Sequence, residues 1–308
     1  MTERPHISVV VPVYNEEENL PELQRRLACT LAPYEYDVLF IDDGSSDASL
    51  ALLLAFHKED PRMKALSFSR NFGHQVAISA GIDHAGGDAV ILMDGDLQDP
   101  PEVLPQFIEK WKEGFEVVYA VRRRRKENLL KRLAYAAFYR ILRKVSYLSI
   151  PLDSGDFCLM DRKVADVVRG LPERTRFVRG LRTWAGYRQT GLEYEREKRH
   201  AGKPKYTFGK LLKLAYDGIV AFSDVPLRLA IYLGLGSAAA AFLGGLLVVY
   251  EKVTNNVPVV GWTSTIVTLL FLGGMILTTL GIIGEYISRI YEEVKHRPLY
   301  IIRERIGV

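Results

Sequence analysis

The run Ala89-Val90-Ile91-Leu92-Met93-Asp94-Gly95-Asp96-Leu97-Gln98-Asp99-Pro100-Pro101 decides how the chain is read. Five apolar residues behind Gly86-Gly87-Asp88 predict a short buried strand. Pro100-Pro101-Glu102 predicts the start of a helix, because proline suits a first helical turn and an acid suits its positive end. Asp94 and Asp96 therefore sit at the carboxyl end of a buried strand, where open α/β sheets bind ligands. Paired carboxylates with no His or Cys in the run suit a hard cation, Mg²⁺ or Mn²⁺, which keeps some waters and takes phosphate oxygens. Asp-Gly-Asp alone is equally a turn, so the rest of the chain has to weigh in.

Upstream, strand-like and helix-like stretches alternate. Ile7–Val13 reads as a strand ending at Tyr14-Asn15-Glu16, followed by a helix with Leu20, Leu23, Leu27 and Leu31 on one face. Val38–Ile41 is a second strand, stopping at Asp42-Asp43-Gly44-Ser45. The next helix has Ser45 or Ser46 as N-cap candidates and Leu50, Leu53 and Leu54 turned inward. Lys64–Phe68 is a third strand, Ser69–Gly73 a loop, and Gln75–Ala85 a helix. Past the central run, Pro101–Trp111 is helical and Val117–Val121 a fifth strand. This alternation predicts right-handed βαβ units and a mainly parallel sheet. Acidic groups then fall after three strands, at Glu16–Glu18, Asp42-Asp43 and Asp94/Asp96, as a nucleotide and metal site would require. Neither Gly-x-Gly-x-x-Gly nor a Walker A sequence is present.

The 308 residues carry a formal net charge of +4, unevenly spread. Arg122–Lys126 leads into a basic amphipathic segment at about 126–145, suited to an anionic membrane surface or to a solvated face over a core helix. No nucleic-acid fold signature accompanies it, and no nucleic-acid partner is expected. Asp153–Asp156 is a turn into a short apolar segment, Phe157–Met160. Arg174–Trp184 carries Arg176, Arg179 and Arg182, Arg188–Glu195 is strand-like, and Arg196–Tyr206 is a basic loop. A second amphipathic segment spans 207–228. Leu229–Tyr250 and Val259–Ile283 are uncharged and long enough to cross a bilayer. Lys210, Lys213 and Arg228 precede the first, and Arg289, Lys295, Arg297, Arg303 and Arg305 follow the second, so the positive-inside rule places residues 1–206 and the tail 284–308 in the cytoplasm. Gly234, Gly236, Gly244, Gly245, Gly273 and Gly274 permit close helix contact, including between subunits of a homo-oligomer. The N-terminus lacks an apolar signal-peptide core, and Cys29 and Cys158 read as free thiols of a reducing compartment.

Val11-Pro12-Val13-Tyr14-Asn15-Glu16, Ile41–Ser45, Asn71-Phe72-Gly73, Asp94–Pro101 and Gly284-Glu285-Tyr286 resemble the family 2 glycosyltransferases. The resemblance covers nearly the whole chain and is strongest to the branch that loads sugars onto polyprenyl phosphate, the bactoprenol glucosyltransferases, with dolichyl-phosphate mannose synthases more distant. It implies an α/β GT-A fold, Rossmann-like, with amphipathic interface helices and two C-terminal transmembrane helices. It also implies a nucleotide-sugar donor, a divalent metal and a membrane-bound polyprenyl (undecaprenyl) phosphate acceptor. By that resemblance Pro12, Tyr14, Glu16, Asp42 and Asp43 hold the nucleoside. Asp94, Asp96 and Gln98 surround metal and diphosphate, with Gly95 between them where the family usually has alanine. Arg122 meets phosphate, and Asp156 lies near the reacting sugar. Arg132, Arg179, Arg199 and Lys205 are further phosphate-binding candidates, the last two on a closing loop where Pro204 replaces the family's usual serine. The expected reaction is inverting sugar transfer, with UDP-glucose favoured over other UDP-sugars and GDP-mannose. A processive polysaccharide synthase and an inactive membrane scaffold are the alternatives. The first usually has Gln-x-x-Arg-Trp, which is absent, and intact Asp94, Asp96 and Asp156 speak against the second.

Overall fold

A computed structural model describes residues 5–122, 154–174, 176–196, 225–255 and 261–308. They fall into two compact units. One is an α/β unit that includes the last residues, Arg297–Val308, and the other is a pair of long helices.

The α/β unit is built on one sheet of eight strands: β1 His6–Val13, β2 Glu35–Asp42, β3 Met63–Phe68, β4 Ala89–Leu92, β5 Val117–Arg122, β6 Ser154–Asp161, β7 Gln189–Tyr194 and β8 Ile302–Ile306. Their order across the sheet is β7-β5-β6-β4-β1-β2-β3-β8. The neighbours β4-β1-β2-β3 are all parallel, as the alternating pattern predicts, and so are β5 and β7. The first five strands fall where the apolar runs place them. The segment Phe157–Met160 is more than a short apolar stretch: it is the middle of β6, inserted antiparallel between β4 and β5. The sheet is therefore mostly parallel with an antiparallel strand near its centre.

Helices α1 Leu20–Leu31, α2 Ser49–Glu59 and α4 Leu104–Lys112 cover one face, and α3 His74–His84, α5 Arg162–Gly170 and α6 Val178–Trp184 cover the other. The split follows the two-residue period of a strand. In β1, Ile7, Val9, Val11 and Val13 pack with Leu20, Leu53 and Phe107, while Val10 packs with Ala77, Val164 and Leu181. The leucine stripe of α1 is wholly buried at Leu20, Leu23, Leu27 and Leu31. Each such side chain contributes about 1.5–3 kcal/mol relative to an exposed one. A short 3₁₀ turn, Pro101–Val103, precedes α4 and splits what the sequence presents as one helix.

Helix α2 starts at Ser49, so neither Ser45 nor Ser46 caps it. Both are used between loops instead. Ser45 Oγ accepts from the Asn15 amide at 3.0 Å, and the Ser46 amide donates to Asn15 Oδ1 at 2.8 Å. Gly44 between β2 and these serines has φ +69°, and a Cβ there would meet the Arg70 carbonyl carbon at 2.6 Å. The β2 and β3 loops can touch this closely only across a glycine.

In the second unit, α7 spans Val225–Asn255 and α8 spans Trp262–Val294. Leu227–Leu247 and Ser264–Val294 are long and apolar enough to cross a membrane, with mean hydropathy 1.8 and 2.4. Helix α8 runs without a break past Ile283, so residues 284–294 are its last turns and not a separate helix. The chain then returns to the sheet. Strand β8 pairs antiparallel with β3, a strand that the terminal Ile302-Arg303-Glu304-Arg305-Ile306 does not advertise in sequence.

Candidate active site

The parallel strands β1 to β4 deliver their carboxyl ends to one edge of the sheet. The antiparallel β6 brings its amino end to the same edge. Leu92 pairs antiparallel with Cys158, so Asp94, two residues on from Leu92, and Asp156, two residues before Cys158, come level. Sequence spacing alone could not bring these two together, because the pairing joins segments more than sixty residues apart.

Between the two carboxylates stands His74, the first residue of α3. Its Nε2 lies 3.5 Å from Asp94 Oδ1 and 3.6 Å from Asp156 Oδ2. Burial works against its charge, but the carboxylates of Asp156 and Asp94 outweigh that and raise its pKa to about 9. Asp156 is buried and gripped from three sides. Arg179 donates through Nε to Oδ1 at 2.8 Å and through Nη2 to Oδ2 at 3.1 Å. Gln75 Nε2 donates to Oδ2 at 3.0 Å, and its Oε1 accepts from the Val178 amide at 3.0 Å, fixing α6 to α3. Burial alone would raise the Asp156 carboxyl, yet the Arg179 and His74 cations hold it well below the usual carboxylate range. Asp156 is thus an anion at any physiological pH.

Asp94 is the opposite case. Desolvation pushes its carboxyl up to about 6; His74 pulls the other way, while Asp99, Asp156 and Asp96 add to the push. The Asp94 side chain remains 30% exposed at the sheet edge. Asp96 is buried, with its Oδ1 accepting from the Gln98 amide at 3.2 Å. Leu97 between them takes φ +58° with its side chain in the core, which bends the backbone back and keeps Asp96 and Gln98 at the edge. Among the described residues no three carboxylate, imidazole or thiolate groups enclose a metal unaided. Hard oxygen ligands from Asp94 and Asp96 fit an ion that completes its shell from diphosphate and water, as Mg²⁺ and Mn²⁺ do.

The β1 and β2 ends form a second, different floor. Asp42 is buried, with Oδ1 accepting from the Ser45 amide at 3.0 Å and Oδ2 from Ser67 Oγ at 2.7 Å. Asp43 accepts from the amides of Phe72 at 2.6 Å and Gly73 at 3.0 Å. Both carboxylates therefore bind together the loops around the site, and a nucleoside there would share them. Pro12 lies at the end of β1, paired with Ile41, and its carbonyl is 3.2 Å from where a Cβ on Gly95 would be. Tyr14 is 40% exposed at the same edge. The Glu16 carboxylate takes a hydrogen bond from Asn19 Nδ2 at 2.6 Å, at the start of α1.

Arg122 is the last residue of β5, in register with Tyr194. Arg179, expected on phosphate, is held by Asp156. Arg132, Arg199 and Lys205 lie outside the described residues, as do the segment at 126–145 and the segment 207–228 up to residue 224; residues 225–228 belong to α7. His74 and Gln75 are site residues that the sequence reading misses. The available signal was topological: the helix after β3 must start at the edge where β1, β2 and β4 end. Asp99 is another. It is buried, accepts from Tyr194 Oη, and has Arg196 Nε at 3.5 Å.

Residues 8–169 match glycosyl transferase family 2, and residues 225–290 match the GtrB C-terminal hairpin. The uncharacterized glycosyltransferase YkcC of Bacillus subtilis is 49% identical over 304 residues, covering 98% of this chain and 94% of that protein. The bactoprenol glucosyl transferase of Shigella phage SfV is 46% identical over 300 residues, covering 96% of this chain and 98% of that protein.

Proposed function

Because this chain belongs to glycosyl transferase family 2, we propose that its site transfers glucose from UDP-glucose to a polyprenyl phosphate, with inversion at the anomeric carbon. The observation that carries the proposal is end-to-end similarity to bactoprenol glucosyl transferases, including the paired helices that follow the α/β unit.

Asp94 and Asp96, with Gln98, would hold Mg²⁺ or Mn²⁺ at the donor diphosphate. A divalent cation there neutralises charge developing on the leaving group. The depressed pKa of Asp156 supports a positioning and electrostatic role over proton removal. None is needed from it: a phosphate monoester acceptor has a second pKa of about 6 and is largely ionised at neutral pH. The fixed Asp156 anion can then orient a sugar hydroxyl and favour positive charge building at the anomeric carbon.

We place the reaction at the cytoplasmic face of a membrane. After α7 and α8 the chain re-enters the sheet it left, so if both helices cross, the residues on either side of the hairpin share one compartment. The flanking Lys and Arg residues favour the cytoplasm.

The test incubates membranes containing the full chain with undecaprenyl phosphate and labelled UDP-glucose, other UDP-sugars or GDP-mannose, with and without EDTA. Metal-dependent glucosylation of the lipid is expected. Undiminished transfer in EDTA would remove the metal from the proposal, and preferred use of another donor would replace glucose. A cysteine placed at Asn255 in a Cys29→Ser background should be labelled only from outside the cell.

A further inference from the structure

The last twelve residues do more than extend the sheet edge. Tyr300 stacks on Phe68 at the end of β3, with ring centroids 5.1 Å apart and planes 15° apart. Phe68 in turn takes Phe72 edge-on at 5.7 Å. The Tyr300 hydroxyl donates to Asp83 Oδ2 at 2.9 Å, near the end of α3. Its neighbour Ile301 accepts through its carbonyl from the Ser69 amide at 3.0 Å, the first residue of the β3–α3 loop. At the far end, Gly307 has φ +69° and sits so close to His57 of α2 that a Cβ would meet the ring at 2.3 Å.

These contacts converge on one loop. Residues 69–73 leave β3, give the Phe72 and Gly73 amides to Asp43, and end at His74, between Asp94 and Asp156. The tail holds both the start of this loop and the helix it enters, and only residues 295–301, which carry Tyr300 and Ile301, separate β8 from α8.

We infer that Tyr300 is a positioning residue for sugar transfer: through Phe68, Ser69 and Asp83 the C-terminal strand sets the β3–α3 loop and so the placement of His74 between the two site carboxylates. Tyr300 lies away from the catalytic groups and acts through them. The inference rests on the Asp94–Asp156 edge being the site of transfer. Its corollary is that the chain segment leaving the long helices is mechanically tied to the catalytic edge.

The test uses the full chain in detergent, with Tyr300→Ala and Tyr300→Phe. Misplacement of a reacting group by about 1 Å can cost 10²-fold, so Tyr300→Ala should lower kcat roughly ten- to a hundredfold with donor KM little changed. Tyr300→Phe keeps the stacked ring and should restore turnover to within about threefold of wild type, on the same reasoning that ring placement dominates. Hydrogen exchange should quicken in peptides covering 69–76 and stay unchanged in peptides covering 89–98. Wild-type kcat in Tyr300→Ala overturns the inference, as does exchange that quickens equally across the α/β unit, which would mark a purely structural role. If Tyr300→Ala does not fold, Gly307→Ala loosens the tail from its other end and must give the same local signature; its absence also overturns the idea. Exchange is read without substrate, so a wrong choice of donor or acceptor leaves that result intact and shows separately as absent wild-type turnover.

Discussion

Two pairs of aspartates share one edge of the sheet, Asp42 and Asp43 at the end of β2 and Asp94 and Asp156 on the far side of β1 at the ends of β4 and β6, and they are built for different work. Asp42 and Asp43 spend their oxygens on Ser45, Ser67, Phe72 and Gly73. They hold loops together. Asp94 and Asp156 share His74, but only Asp156 also has an arginine, Arg179, and a hydrogen bond from Gln75. A carboxylate whose oxygens accept from backbone amides and hydroxyls is committed first to its own loops. One whose pKa has risen to about 6 among other acids lowers its energy by taking a cation. On the proposed function, the difference separates the scaffold of the site from its reactive part.

The comparison predicts which measurement each substitution should move. The largest effect falls on turnover. Asp94→Asn or Asp96→Asn should lower kcat/KM about 10²–10³-fold, the scale for losing one preorganised electrostatic contact in a transition state. Thermal unfolding in detergent should stay close to wild type. A large drop in Tm instead would mean that the β4 end is also scaffold.

Next comes stability. Asp42→Ala strands the Ser67 hydroxyl and the Ser45 amide without their acceptor, in a buried place. Unsatisfied buried groups cost about 1–3 kcal/mol, and the loss should appear as a lowered unfolding midpoint. A raised donor KM at unchanged Tm would show that the nucleoside is the chief partner of Asp42.

The pH dependence should have opposite sign at the two floors. Asp156 is depressed in the folded state, so its contribution is complete above its unfolded pKa near 3.9 and is lost as pH falls further. Between pH 7 and 3, the stability gap between wild type and Asp156→Asn should therefore hold until about pH 4 and shrink below it. Asp43 is raised: burial dominates, and the Phe72 and Gly73 amides only partly offset it. Its anion costs stability above the folded pKa, and that cost disappears on protonation. Wild type should gain on Asp43→Asn as pH falls through the same range. Gaps that move together would show that the two floors are electrostatically alike.

Much of this was legible in sequence because it is local. A buried parallel strand needs an apolar run, a strand end needs a turn, and the leucine stripe of α1 repeats at helical spacing. Those signals located β1 to β5, the Asp94/Asp96 edge and two membrane-length helices. What escaped depends on pairing between distant segments. Strand β6 looks like any short apolar stretch until β4 and β5 close on it, and only that closure brings Asp156 to Asp94. That Arg179 reaches Asp156 follows only once α6 is packed against β6. Strand β8 carries three charged residues in five, which mark an exposed edge strand as readily as a loose tail. His74 follows a glycine-ended loop and has no motif of its own; its role comes from where β3 stops.

The smallest effect is predicted at Gly95, and it sharpens the comparison most narrowly. Family likeness puts alanine here, between two residues expected to hold the metal. Gly95 does not have a positive φ, so alanine meets no backbone strain. Its Cβ would stand 3.2 Å from the Pro12 carbonyl oxygen and 3.5 Å from Val11 Cγ1, a tight contact that asks β1 to yield by a few tenths of an ångström. Against that, replacing glycine by alanine at a compatible site stabilises by about 0.4–1 kcal/mol, by restricting the unfolded chain. The two terms oppose each other and are of similar size, so Gly95→Ala should leave stability within about 0.5 kcal/mol, the ordinary range for mild substitutions. Transfer should also hold, with kcat/KM within about threefold, because ~0.7 kcal/mol of residual strain is worth no more than that in rate. The same shift would carry the Pro12 end of β1 and leave the Asp94 and Asp96 carboxylates in place. A hundredfold loss in Gly95→Ala, comparable to Asp94→Asn, would mean that the spacing between Pro12 and the β4 end is itself part of the reactive floor, and that the boundary drawn between scaffold and chemistry lies one strand too far towards β4.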